Sequence, residues 1–141
     1  MGPSCEDIKD LLETIGSSGE DIGNFAATSG WSIHAGTEMP PSPDTCILIK
    51  DGPGANVPNP NFTYEYPTVQ ILVRGAKGDY LLGYAKATAI KNNLNGRKHV
   101  VVNDAEYIQI VCSSDIFPLG RDTNQRPLFS LNFELQRTSS T

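Results

Sequence analysis

Apolar and polar residues alternate most regularly from Tyr66 to Gly75, where Val69, Ile71 and Val73 fall on one side and Thr68, Gln70 and Leu72 on the other. A period of two with β-branched residues predicts a strand. After the turn Ala76-Lys77-Gly78 the spacing changes. Leu82, Ala85, Ala89 and Leu94, with Ile90 beside them, recur at roughly helical intervals, and Lys86, Lys91 and Asn92 fall between them. That predicts an amphipathic helix with Asp79 as its N-cap and Gly96 ending it in the left-handed region. This strand-and-helix unit, Tyr66 to Asn95, is the strongest supersecondary signal in the chain and the expected centre of the fold.

The flanking segments read more weakly. Cys5, Ile8, Leu11, Leu12 and Ile15 make an apolar stripe behind Ser4, a candidate N-cap, so a helix is expected from about Cys5 to Ile15. Its other face carries Glu6, Lys9, Asp10 and Glu13. From Gly16 to Pro43 only Ile22, Phe25, Trp31 and Ile33 interrupt a Gly-, Ser- and Thr-rich run, which reads as a long loop. The stiff Pro40-Pro41-Ser42-Pro43 then leads into Cys46 to Lys50, read as the first strand. Further strands are expected at His99 to Val102, Tyr107 to Cys112 and Leu128 to Leu135. In the second of these Ile108, Ile110 and Cys112 share a face, opposite Tyr107, Gln109 and Val111. In the last, Phe129, Leu131, Phe133 and Leu135 oppose Ser130, Asn132 and Glu134, the clearest half-buried antiparallel pattern in the chain. The order predicts an α+β fold, a mainly antiparallel sheet with two helices packed against it. One domain is expected: a helix over 1–15, a loop over 16–43, an α+β core over 44–136 and a flexible tail over 137–141.

Composition sharpens this. The chain has 141 residues, enough for one core, but only 38% are hydrophobic, and it holds 13 glycines and 10 prolines. Set against the usual ~45–50% apolar content, this implies a small core with long loops, stabilised in part by neighbours. No apolar run reaches a membrane span and no signal-peptide blocks open the chain, so a soluble protein made in the cytoplasm is expected. The net charge of −5 argues against a duplex-binding module, which needs Lys and Arg to displace counterions. An acidic surface suits something that nucleic acid slides past.

Chemistry is hard to find. Cys5, Cys46 and Cys112 are widely spaced and read as small buried hydrophobes; His34 and His99 have no ligand-spaced partners. Asp51-Gly52-Pro53-Gly54 lacks the Gly-Lys-Ser/Thr ending of a phosphate loop and reads as a turn. No catalytic, cofactor-binding or metal-binding residues are expected. Asp115 and Asp122 flank Ile116 to Arg121 and could serve a small hydrolase as acid and base, but capping and loop salt bridges are the simpler reading. Arg121 and Arg126, with Asp122, lie in a polar segment before the last strand. They suit ion pairs between subunits, internal bracing or contact with DNA phosphate. Trp31, the single tryptophan, either plugs into its own core or anchors an interface.

Pro43-Asp44 leading into Cys46-Ile47-Leu48-Ile49 and Asp51-Gly52-Pro53-Gly54, then Tyr66 to Gly75, and later Leu119-Gly120-Arg121-Asp122 with Asn124, Arg126, Phe129 and Asn132-Phe133, together resemble the minor capsid or tail terminator family of siphophages. The match runs from about Pro40 to Leu135. The resemblance implies a small α+β virion protein that forms a hexameric ring at the head-proximal end of the tail tube. The ring stops tube growth and offers a surface to the head-tail connector, with genome DNA passing through its lumen. The partners implied are further copies of the chain, the tail tube protein and the connector. Arg74, Arg121, Asp122, Arg126 and Trp31 are the candidate interface residues. Another connector, neck or tube protein is the alternative.

Overall fold

The computed structural model describes residues 3–17, 32–41, 44–52 and 64–138. Its elements are α1 (Ser4–Ser17), β1 (Ser32–Ala35), β2 (Cys46–Asp51), β3 (Tyr64–Glu65), β4 (Thr68–Arg74), α2 (Tyr80–Leu94), β5 (Arg97–Val102), β6 (Ala105–Cys112), β7 (Phe117–Arg121) and β8 (Pro127–Thr138). The strands join one sheet in the order β1-β2-β4-β8-β6-β5, with β3 and β7 also paired to β8. All pairings are antiparallel except that of β1 with β2. The α+β reading holds, with a mixed rather than purely antiparallel sheet.

The centre is β8. Its 12 residues are long enough to carry two strands on each edge. Along one edge β4 meets residues 128–134 and β3 meets 137–138. Along the other, β7 meets 127–130 and β6 meets 133–137. The Tyr66–Asn95 unit is therefore one flank of the fold, not its hub. Because β8 and β6 separate β4 from β5, and every step is antiparallel, β5 runs opposite to β4 and α2 is no parallel crossover.

Val69, Ile71, Val73, Phe129, Leu131, Phe133 and Leu135 are buried on one face of the sheet, as their alternation predicts. Ile33, Ile47 and Ile49 extend that layer, and Cys5, Ile8, Leu11 and Leu12 of α1 close it. α1 touches β1, β2 and β4 near one end of the strand order and β5 at the other, so the sheet curves around it.

Several expectations are corrected. Cys46 to Lys50 is the second strand, because Ser32–Ala35, inside the supposed 16–43 loop, pairs with it in parallel; four residues are too few to show a period. Phe117–Arg121 is a strand although Pro118 and Gly120 interrupt its pattern. A register shift between Tyr107 and Gln109 changes the phase of β6, so Tyr107 and Ile110 both face the core and the expected split of its faces fails. The strand β8 continues through the supposed tail as far as Thr138, and Arg137 is buried. Ser4 lies within the first turn of α1 instead of capping it.

The caps of α2 follow the sequence. The Asp79 carboxylate accepts the Leu82 N–H at 3.1 Å, and Gly96 takes φ +86° just beyond the helix. Its face does not. Gly83, Lys86, Ala87, Ile90 and Leu94 are buried, whereas Leu82 and Ala85 are exposed. The cause is Gly83: a Cβ there would lie 2.6 Å from Cε2 of Phe129. The missing side chain lets α2 descend onto that ring, so the closest approach selects the contact face rather than the largest residues.

Candidate functional site

Between β7 and β8 the chain turns through residues 122–126, and Asp122 organises the turn. Its Oδ1 accepts the backbone N–H groups of Asn124 (3.0 Å) and Arg126 (2.9 Å), and its Oδ2 accepts Nε of Arg126 (2.8 Å). Burial opposes the carboxylate, but these donors outweigh it and hold the Asp122 pKa below the ordinary value. The far side of the Arg126 guanidinium donates from Nη1 to the Pro41 carbonyl (2.7 Å) and to Oδ1 of Asp44 (3.1 Å). Arg74, at the end of β4, donates from Nε to the Asp44 carbonyl at 2.8 Å. Arg74, Asp122 and Arg126 thus come together with Asp44, which sequence reasoning had not singled out. They tie the proline-rich approach to β2 onto the β7–β8 turn. Arg74 and Arg126 are both buried.

Arg121 stands apart, exposed on β7 with Nη1 3.3 Å from Oε1 of Gln125. Trp31 lies outside the described residues, as do Pro53 and Gly54 of the expected turn. Asp115 is exposed; it accepts its neighbour Ile116 N–H at 2.9 Å and Nζ of Lys91 at 3.1 Å, and these two contacts lower its pKa. Asp115 and Asp122 belong to separate networks and share no donor, so they do not form an acid–base pair. Among the described residues no His, Cys, Asp and Glu side chains converge as a metal cluster.

A second polar network seats α1. Tyr107 donates its hydroxyl to Oδ2 of Asp7 at 2.5 Å, Arg137 Nη1 reaches the same hydroxyl at 3.3 Å, and Asn103 donates to Oδ1 of Asp7 at 2.9 Å. Arg137 also pairs with Glu65 at 3.0 Å, linking β8 to β3. Burial, and then the hydrogen bond to Asp7, push the Tyr107 phenol up to about 12. On the opposite face of the sheet Lys50, Asp51, Thr68, Gln70, Asn132 and Glu134 line a polar groove of about 420 Å³.

The least expected surface is the outer side of α2. Tyr80 and Tyr84 stack with centroids 6.3 Å apart, and both meet Phe129 edge-on. Beside them Leu81 and Leu82 are exposed. From Tyr80 to Ile90 the helix has one charged residue, Lys86, and that residue is only 4% exposed. The signal was present in the sequence as a charge-free run from Tyr80 to Ala85, but a helical-period search assigns such leucines to the core.

A family model described as bacteriophage tail terminator protein matches residues 13–139. No curated protein matches the chain. Among solved structures, a chain in the virion of a native gene transfer agent particle is similar at a TM-score of 0.58 and 14% identity, over 76% of this chain and 78% of that one. At that identity the likeness establishes a shared fold.

Proposed function

The chain belongs to the bacteriophage tail terminator family, a structural tail protein of the virion and not an enzyme, and from that premise we propose that it closes the head-proximal end of the tail tube as a ring. In this reading one domain per copy, made in the host cytoplasm, assembles into a hexamer. The ring ends tube polymerisation and presents a surface to the head-tail connector, and genome DNA passes through its lumen without specific binding. The observation that carries the reading is the family match over residues 13–139, nearly the whole chain. The acidic balance of −5 supports a lumen that does not retain DNA.

The candidate contact residues divide by their bonding. Arg74, Asp122 and Arg126 spend their hydrogen bonds within the chain and act by holding the β7–β8 turn in shape. Arg121, exposed on that hairpin, is the one assigned to a neighbour.

Purified protein examined by sedimentation and negative-stain microscopy tests the proposal. Six-fold rings that block elongation of purified tube protein are expected. Open tubes would favour the rival reading as a tube protein, and rings that leave elongation unaffected would favour a connector. Arg121→Glu should weaken ring formation or head joining while leaving the melting temperature unchanged; intact assembly would remove Arg121 from the interface.

A further inference from the structure

The exposed side of α2 is large for a surface that faces only water. Tyr80, Leu81, Leu82 and Tyr84 are 49%, 78%, 40% and 43% exposed. Their open area is on the order of 400 Å², within the ~300–600 Å² of the largest apolar patch on a monomer and about half of one side of a standard interface. It has the size of an interface core, to which a polar rim adds the remainder.

A second apolar feature lies on the other side of the sheet. Phe117 is opposite Ser130 in the β7–β8 ladder. Ser130 alternates with the buried Phe129 and Leu131, so Phe117 projects from the face away from both helices, where it is 61% exposed. Leu119 on the same strand is exposed too. One chain therefore offers two different apolar surfaces on opposite faces of its sheet. A two-fold pair would use one patch twice; two patches on opposite faces are what a head-to-tail contact requires.

Addition of a strand at an edge is the competing way to join copies, and the edges at β7 and β5 are blunted. Pro118 has no N–H and the β7 register shifts between Pro118 and Gly120. In β5, at one end of the sheet, His99 takes φ 54° and drops out of the ladder.

We propose that the uncharged outer face of α2 packs against Phe117 and Leu119 of a second copy of this chain, so that copies join head to tail. The inference rests on the ring reading above and names the surfaces that make the ring. Because Leu81 and Phe117 are exposed, substituting them leaves the folded monomer intact.

The test has two parts. Sedimentation of wild type and Leu81→Glu should show self-association weakened at least tenfold by the substitution, the size expected for one central contact. In a Cys112→Ser background, a chain carrying both Leu81→Cys and Phe117→Cys, treated with a short bis-maleimide, should give a ladder of linked copies, and neither single substitution should give more than traces of dimer. If wild type and Leu81→Glu assemble equally well, the assigned surface is wrong and the ring stands. A strong dimer from Leu81→Cys alone overturns the head-to-tail arrangement. A wild type that stays monomeric at every concentration overturns this inference and the ring together.

Discussion

Helices α1 and α2 lie on the same face of the sheet but divide their residues in opposite ways. α1 turns Cys5, Ile8, Leu11 and Leu12 inward and leaves Glu6 exposed, the arrangement of a helix completed by its own domain. It buries one charge, Asp7, and gives it Tyr107, Asn103 and, at 3.6 Å, Arg137. α2 does the reverse, with Lys86 inward and Leu81 outward. The difference separates two uses of apolar surface. α1 spends it on the core of its own chain; α2 keeps much of it for a neighbour. If this contrast holds, damage at α1 should appear in the stability of a single copy and damage on the outer side of α2 should not.

The largest effect is expected at Asp7. Asp7→Ala removes one of the carboxylates that compensate the buried Arg137 and the nearer acceptor of the Tyr107 hydroxyl, which keeps only the longer contact to Ser4 Oγ at 3.3 Å. Breaking a buried pair from one side costs about 3–5 kcal/mol. Urea unfolding followed by circular dichroism measures it. A loss under about 1 kcal/mol would mean that the apolar stripe alone seats α1 and that the polar network is incidental.

Gly83 tests the inner side of α2. An added Cβ meets Phe129 at 2.6 Å, and the ring is hemmed in by Tyr80 and Tyr84. Gly83→Ala should therefore cost about 1–3 kcal/mol through overpacking, despite alanine's better helix propensity. A stabilised variant would show that the helix can lift from β8, which would weaken the account of why its leucines face outward.

The α1 network also sets a response to alkali. The Tyr107 phenol titrates at about 12 in the fold, and at about 10 when unfolded. A raised pKa contributes stability that is complete below the unfolded value and lost as pH rises through the folded one. The melting temperature of the wild type should fall between about pH 10 and 12, and Tyr107→Phe should fall less over the same window. Parallel curves for the two proteins would remove Tyr107 from the pH response.

How much of this was legible depended on local pattern. β4 and β8 could be read because each alternates for seven or more residues with one face fully apolar. The caps of α2 could be read because Asp79 and Gly96 act through their own backbone neighbours. β1 and β7 could not, since four residues are too few to show a period and Pro118 and Gly120 break that of the five in β7, so both take their shape from the strand beside them. The arginines stand out in the sequence as charged groups and read there as candidate interface contacts. Their bonding was not legible, because Arg126 meets Asp44 and Pro41 across more than 80 residues of chain. The face of α2 was misread because hydrophobicity does not say which apolar face belongs to the core of its own domain.

The smallest expected change is also the sharpest control. Leu81→Ala removes the most exposed leucine of α2, so single-copy stability, measured at a dilution where no association remains, should shift by no more than about 0.5 kcal/mol. The same substitution at Leu12, fully buried in α1, should cost about 2–5 kcal/mol. The two changes delete the same atoms from two helices on one sheet, so propensity and side-chain chemistry cancel and only the surroundings differ. At concentrations where copies associate, Leu81→Ala should then lose stability that it does not lose when dilute, because a neighbour that binds only the folded chain adds to its apparent stability. A Leu81→Ala loss that was the same at both concentrations would place that leucine in the core of its own chain and erase the contrast between the helices.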